Sequence, residues 1–489
     1  MDRPAYTLKR YFGYDSFRPG QRSIIDAILM GRDVLGILPT GGGKSICYQV
    51  PALILPGLTV VVSPLLSLMH DQTDALLRRG IPAAILTSEM TAEQQRQFYS
   101  GFDGTVRILY VSPERLQTPA FISFAARANI SLLCIDEAHC ISQWGHEFRP
   151  SYLSISAFAG KLPVRPVIAA FTATATPMVR DEIIELTGLR DPYIHASTFD
   201  RTNLYYEIRR TRDKTAEVLR LLRSYSGMSG IVYCMTRSHV DMLTRRIIMS
   251  GIPAGRYHAG MDPEDRIRSQ DEWLTGRTPV IVATNAFGMG IDKPDVRFVI
   301  HYEMPGCIEN YYQEAGRAGR DGKPSDCILI ASDSDVKVNR FFLDRTASPV
   351  MREAMQRQMD AMREYVGART CLRRFLLRYF GEDMSGMPGS CGHCSVCLSR
   401  TQGSYPYAPG EPDPDLRKSL VAVRLRLSKA ENIVQWKIFS EDALTDMAAL
   451  RPETMAQLLL MEHVSWRQGI KYGAHFLAEI RTWKRSHGI

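Results

Sequence analysis

The run Gly36-Ile37-Leu38-Pro39-Thr40-Gly41-Gly42-Gly43-Lys44-Ser45 completes the apolar stretch DVLGIL and precedes the helix-like stretch ICYQVPALI. Strand, glycine-rich turn and helix in that order make a phosphate cradle. Glycines let backbone N–H groups close around phosphate oxygens without Cβ clashes. In this pattern Lys44 reaches the β- and γ-phosphates and the Ser45 hydroxyl suits magnesium. Thr40, Gly41, Gly42 and Gly43 form the wall of the same turn, and Leu38 stands where the general pattern has its first glycine.

Two further motifs supply what a cradle lacks. Asp136-Glu137-Ala138-His139 follows the apolar run SLLCI, which is expected to lie beside the phosphate loop. Asp136 is placed to hold magnesium through water and Glu137 to polarise an attacking water. Much later comes Gln313-Glu314-Ala315-Gly316-Arg317-Ala318-Gly319-Arg320. Its two arginines stand three apart and, on a helix, share one face. Arg320 is the candidate finger for γ-phosphate charge, with Arg317 assisting. A cradle, two carboxylates and an arginine pair, in this order, are the parts that nucleoside-triphosphate hydrolysis needs.

Around these motifs, short apolar runs alternate with amphipathic stretches. DVLGIL (33–38), TVVVSP (59–64), RILYVSP (107–113), SLLCIDEAH (131–139) and VIAAFTAT (167–174) form one series. GIVYC (230–234), PVIVAT (279–284), FVIHYEMP (298–305) and DCILIAS (326–332) form a second. Each run ends in a polar or glycine-rich turn, as parallel strands with chemistry at their carboxyl ends do. The expected organisation is α/β, with two parallel-sheet lobes at 1–200 and 201–343. The interval 195–215 reads as the link between them. A helical, cysteine-bearing module follows at 344–400, then a Pro-, Gly- and Ser-rich linker at 401–415 and a small all-α bundle at 416–489.

At 489 residues the chain has room for roughly three to four domains. Hydrophobic residues make up 45% and charged residues 23%, ordinary for a soluble protein. No stretch approaches the roughly 18 apolar residues of a membrane span, and the charged start MDRPAYTLKR does not read as a signal peptide. A cytosolic place is expected, nucleoid-associated in a bacterium or nuclear in a eukaryote, with no membrane partner. Sixty Lys and Arg against 52 Asp and Glu give a net charge of +8, a mild excess that fits a polyanionic partner.

Six of the ten cysteines, Cys47, Cys134, Cys140, Cys234, Cys307 and Cys327, are scattered and read as small buried hydrophobes. Cys371, Cys391, Cys394 and Cys397 are spaced C-x19-C-x2-C-x2-C. Four thiolates, three of them in one tight loop, suit a tetrahedral structural zinc.

These motifs in this order resemble the superfamily-2 helicases, and further segments narrow the resemblance to the RecQ family. Phe12-Gly13-Tyr14-Asp15-Ser16-Phe17-Arg18-Pro19-Gly20-Gln21 is similar to that family's nucleotide-recognition segment. The resemblance implies that Tyr14 and Arg18 pack on adenine and Gln21 bonds its edge, and an amide can pair bidentately with adenine. Residues 139–152, HCISQWGHEFRPSY, resemble the aromatic-rich loop that senses single-stranded DNA and signals to the ATP site. That implies DNA-binding or coupling roles for His139, Trp144, His146, Phe148 and Arg149. Aromatics on a polar loop gain by stacking on bases, roughly 1–3 kcal/mol each; plugging the space between the lobes is the alternative. Thr172-Ala173-Thr174-Ala175-Thr176 and Asn285-Ala286-Phe287-Gly288-Met289-Gly290-Ile291-Asp292 match coupling motifs, which brings Gly288 and Asp292 into the ATP site, while Gln313 joins Arg317 and Arg320 as a catalytic candidate.

The same resemblance implies two tandem RecA-like lobes, ATP with Mg2+, a Zn2+ module and 3′-to-5′ movement on DNA in repair and recombination. Its partners are single-stranded and tailed or forked duplex DNA, and repair or single-strand-binding proteins. After residue 415, twelve Lys and Arg stand against seven Asp and Glu in segments resembling the helicase-and-RNase-D C-terminal domain. There the usual Gly-Val-Gly turn reads His463-Val464-Ser465. The winged-helix domain that many relatives carry before this bundle has only the linker in its place, so efficient unwinding is less secure than translocation. An RNA helicase and a strand-annealing or scaffolding ATPase remain as alternatives.

Overall fold

The computed structural model describes residues 2–487, apart from 40, 88, 146, 289–292, 333, 347, 388, 401–410, 460, 462 and 465. The sequence expectations for Thr40, His146, Asp292 and most of the linker therefore lie outside the described residues.

The first lobe is a seven-stranded sheet of β1 (Val34–Ile37), β2 (Leu58–Val62), β3 (Ala83–Leu86), β4 (Ile108–Val111), β5 (Ile130–Ile135), β6 (Val167–Thr172) and β7 (Tyr193–Ala196), in the order β3-β4-β2-β5-β6-β1-β7. The second holds β8 (Leu204–Arg210), β9 (Gly230–Tyr233), β10 (Ala254–Tyr257), β11 (Val280–Ala283), β12 (Phe298–His301) and β13 (Ser325–Ala331), in the order β10-β11-β9-β12-β13-β8. Every pairing is parallel. Strands such as β1, β2 and β4 are buried along their whole length, because helices cover both faces of each sheet.

The acidic motif lies beside the phosphate loop, with Lys44 Nζ 3.1 Å from Glu137 Oε1, although its strand, β5, is not the immediate neighbour of the phosphate-loop strand β1. That strand pairs with β6, and β6 pairs with β1, so the β6 end carrying Thr172 lies between the two strands. One expectation needs correction: the interval 195–215 is more than a link, since it contains the end of β7 and all of β8. Only 197–203 crosses between the sheets.

That crossing is held from both sides. Tyr312 donates to the Phe199 carbonyl at 2.8 Å, and Phe380 of the cysteine module stacks on Phe199 with ring centres 4.4 Å apart. Arg373 pairs with Asp200, and Thr198 donates to Glu382 at 2.9 Å. One hydrophobic core consequently runs from Ile37 and Ile135 through Ile231 and Tyr311 to Leu376 and Cys394. The lobes and the module share it, so breaking the module also exposes part of the lobe interface.

The last bundle has its own core around Leu420, Phe439, Met447 and Phe476. Its first helix, Pro414–Glu431, starts where the Asp413 carboxylate accepts the Leu416 N–H at 2.9 Å, with proline in the first turn. Among the described residues, no helix is long and apolar enough to cross a membrane.

Candidate nucleotide cleft, aromatic loop and metal centre

The phosphate turn leaves β1 and enters the helix Lys44–Ile54 through Gly43, whose φ is +76°. A side chain there would be strained and would collide with the Gln21 amide. Gln21 is buried and donates to the Gly43 carbonyl at 3.0 Å, while its oxygen accepts the Arg18 N–H at 2.9 Å. Arg18 itself donates to the Gly41 carbonyl. In this conformation the segment expected to read adenine braces the phosphate loop instead, and Tyr14, 51% exposed, stands at the rim.

Lys44 Nζ lies 3.1 Å from Glu137 Oε1. Burial and the neighbouring Glu137 push the Asp136 carboxyl up to about 6. A half-buried carboxylate beside a second one favours an incoming cation. Glu137 takes a left-handed φ of +46°. This is a costly conformation for a non-glycine residue, and it begins the short helix Ala138–Ile141.

His139 is 2% exposed, so it presents no surface to DNA. Its Nδ1 is 2.9 Å from Thr172 Oγ1, and Thr172 in turn donates to the Thr174 carbonyl at 3.0 Å. With the threonine hydrogen committed there, His139 is the donor and carries its proton on Nδ1. Burial and the nearby Lys44 and Arg149 hold its basicity down to about 3, and the ring stays neutral.

From the second lobe, Gln313 donates across the cleft to Thr174 Oγ1 at 2.9 Å. The helix expected to carry both arginines stops at Ala315, so Arg317 and Arg320 sit in the turns beyond it. Gly316 caps the helix end, and Gly319, with φ +57° and Asn203 alongside, keeps the chain from resuming it. Arg317 is buried and donates to the Gly288 carbonyl, and its Nε is buried without a protein partner among the described residues. Arg320 lies against Gly41. A cavity of about 410 Å3 is lined by Tyr14, Lys44, Asp136, Glu137, Arg317 and Arg320, and also takes in Arg18, Gln21, Ser45, Gly288 and Gln313. A glycine cradle, an orphaned guanidinium nitrogen and clustered carboxylates fit a magnesium-bound polyphosphate.

The aromatic loop is half-buried. Trp144 packs on the shared core under the Arg357 guanidinium, 4.8 Å from the ring centre. Gln358 donates to the Trp144 carbonyl at 2.7 Å. Arg149 donates to the Pro64 carbonyl at 2.9 Å. Phe148 lines a 360 Å3 cavity between the lobes, together with Met235, Met355 and Met359. The loop thus bridges the first lobe and the helix Pro349–Val366, closer to the plug than to an open stacking platform.

The sulfurs of Cys371, Cys391, Cys394 and Cys397 lie within 4.8 Å of one another, and those of Cys391 and Cys397 are 3.9 Å apart. Tetrahedral zinc with Zn–S bonds of about 2.3 Å separates its sulfurs by roughly 3.8 Å. The Leu372 N–H donates to Cys394 Sγ at 3.4 Å, as a thiolate ligand accepts. His393 directs its ring nitrogens at the Cys391 and Thr202 carbonyls, at 2.7 and 3.1 Å. The donor set fits zinc.

Sequence reasoning did not single out several contributors. Leu68, Gln72 and Pro294 also line the nucleotide cavity. Arg201 clasps the arginine turn through the Gly316, Ala318 and Gly319 carbonyls at 2.9–3.1 Å. None belongs to a local motif, and only the fold brings them to the cleft.

Family models match in sequence order. DEAD/DEAH box helicase covers 18–183, helicase conserved C-terminal domain 213–322, RecQ zinc-binding 333–398 and HRDC domain 413–480. Residues 399–412 alone separate the last two matches, too few for a further domain. The ATP-dependent DNA helicase RecQ of Bacillus subtilis is 41% identical over 397 residues, 81% of this chain and 67% of that protein. The protein of the same name from Pasteurella multocida is 42% identical over 393 residues, 80% of this chain and 61% of the relative. The probable ATP-dependent DNA helicase RecS of B. subtilis is 42% identical over 342 residues, covering 69% and 68%. The matches thus span about two thirds of these relatives' lengths.

Among solved structures, the DUF1998 helicase MrfA bound to DNA superimposes with TM-score 0.58 at 19% identity, covering 71% of this chain and 54% of that one. S. cerevisiae Dbp5 bound to RNA and ADP BeF3 gives TM-score 0.55 at 15% identity, covering 73% and 97%. At such identities the likeness concerns the fold alone. The four models in order and the 41–42% identities decide the family: the chain belongs to the RecQ helicases.

Proposed function

We propose that this chain is an ATP-dependent DNA helicase that moves 3′ to 5′ on single-stranded DNA and serves repair and recombination. The observation that carries this reading is the single cleft in which Lys44, Asp136 and Glu137 of one lobe face Arg317 and Arg320 of the other. DNA as the polymer is supported by the relatives, which are ATP-dependent DNA helicases by name.

ATP is the substrate, and Ser45 and Asp136 would hold its magnesium. Lys44 exchanges its ion pair with Glu137 for phosphate charge. Glu137 is thereby released to accept a proton from the attacking water. Arg320, with Arg317, meets the charge that develops on the γ-phosphate, a contribution of roughly 10³–10⁵ in rate. Gln313 and Thr174 make the closed cleft and the coupling relay interdependent. Zinc, held by Cys371, Cys391, Cys394 and Cys397, supplies folding free energy to the module that clasps the interlobe crossing.

Two measurements test the reading. Lys44→Ala lowers ATP turnover by about 10²-fold or more while single-stranded DNA binding persists. Forked, 3′-tailed and 5′-tailed duplexes, compared side by side with RNA controls, decide polymer and direction. Unwinding confined to 5′ tails, or hydrolysis stimulated by RNA rather than DNA, overturns the proposal.

A further inference from the structure

We propose that His139, Cys140 and Glu147 form a second metal site, which takes a zinc-class ion reversibly and slows the motor by tying the aromatic loop to the acidic motif. A ring nitrogen of His139, the Cys140 sulfur and a Glu147 carboxylate oxygen all lie within 4.8 Å of one another. Imidazole, thiolate and carboxylate at about 2.0–2.3 Å from zinc place the donors some 3.3–3.8 Å apart. Closing the remaining gap, at most about 1–1.5 Å between any two donors, completes the set. Three protein donors leave a fourth position open to water, the pattern of exchangeable rather than closed zinc sites.

The surroundings favour a dication. Glu147 sits beside two further carboxylates, Glu137 and Glu314. The guanidiniums nearest to it are committed to carbonyls, Arg149 to Pro64 and Arg317 to Gly288. Glu147 makes no hydrogen bond or ion pair among the described residues. The Nδ1–H bond from His139 to Thr172 fixes the tautomer whose lone pair is on Nε2, a form in which imidazole ligates metal. His139 and Cys140 are buried and Glu147 is half-buried, so an ion enters past the carboxylate. Binding forms a metal–sulfur bond and releases the thiol proton to solvent, with no change of oxidation state.

The consequence follows from sequence position. His139 and Cys140 follow the catalytic carboxylates with only Ala138 between, and Glu147 lies between Trp144 and Phe148. One ion joining them pins the loop at the residues through which it would signal. This effect on hydrolysis rests on the motor reading above, whereas the metal site itself does not.

The test uses the full chain with its four-cysteine cluster already loaded with zinc. Cobalt(II) is titrated in, zinc and cobalt are counted separately after dialysis, and thiolate-to-cobalt charge-transfer absorption is recorded. The expected result is about one further equivalent bound, a charge-transfer band and a fall in ATP turnover that tracks occupancy. Cys140→Ala abolishes the band, and Glu147→Gln weakens uptake by at least about tenfold. Glu147→Gln changes a half-buried side chain in size hardly at all, so it keeps the test valid if Cys140→Ala folds poorly. Absence of a second equivalent in the unmodified chain, or its persistence in Glu147→Gln, overturns the site. A bound equivalent that leaves ATP turnover unchanged overturns the brake.

Discussion

Gln313 of the second lobe donates a 2.9 Å hydrogen bond to Thr174 of the first, and Thr174 accepts from Thr172, which holds His139 of the acidic motif. Lobe closure and the geometry of the acidic motif are therefore linked by one relay of hydrogen bonds that passes through the Thr174 hydroxyl and its backbone carbonyl. A neutral hydrogen bond adds only about 1 kcal/mol to stability, so its main effect falls on coupling.

Gln313→Ala is expected to lower DNA-stimulated ATP turnover by about 5- to 150-fold, the range of typical coupling energies, and to leave thermal stability nearly unchanged. Steady-state hydrolysis with and without single-stranded DNA, beside a melting curve, checks this. A large drop in melting temperature would reassign Gln313 to packing.

Arg357→Ala removes the cation above Trp144 without touching the nucleotide cavity. Basal hydrolysis stays near its original level, and stimulation by DNA falls several-fold because the loop loses its brace on the Pro349–Val366 helix. Equal loss of basal and stimulated rates would show that the contact only packs the domains together.

Glu309 is buried and accepts a 2.7 Å hydrogen bond from Tyr379, and burial raises its carboxyl above the ordinary value. A raised folded-state value means the folded chain holds the proton more tightly than the unfolded one. Stability from this group is full below the unfolded carboxyl range and is lost as pH rises through the folded value. Glu309→Gln should therefore stabilise the protein at pH 8, with the gain shrinking toward pH 4. Denaturant melts at several pH values measure it, and a gain that grows on acidification contradicts the assignment.

Purified protein should carry about one tightly held zinc per chain, and Cys394→Ser should lose it together with cooperative unfolding. Thiolate ligation is folding free energy, and this module shares its core with both lobes. Metal analysis and thermal melts decide the matter, and a zinc-free protein that melts normally refutes it.

The sequence by itself determined the nine inner strands, the phosphate turn, the acidic motif and the cysteine cluster. Each is a local signal, either an uninterrupted apolar run or a fixed spacing of reactive side chains. The strands it left unread, β3, β7, β8 and β10, are the four sheet edges. Tyr193–Ala196 alternates between half-buried and exposed, and Ala254–Tyr257 is half-buried throughout. An edge strand meets one neighbour and some solvent, so β7, β8 and β10 carry polar residues, and of the four only the short β3, Ala83–Leu86, is apolar throughout.

Only the tertiary structure decided that β6 separates the two catalytic strands, since strand order follows from crossover packing rather than from any one segment. It likewise decided that His139 is sealed from solvent, that Arg317 and Arg320 leave their helix at the glycines, and that the aromatic loop packs under Arg357. Each of these depends on groups distant in the chain, such as Thr172 for His139 and Arg357 for Trp144. A contact across such a separation exists only once the core has closed around it, which is why local residue types and spacings could name the chemistry but not its arrangement.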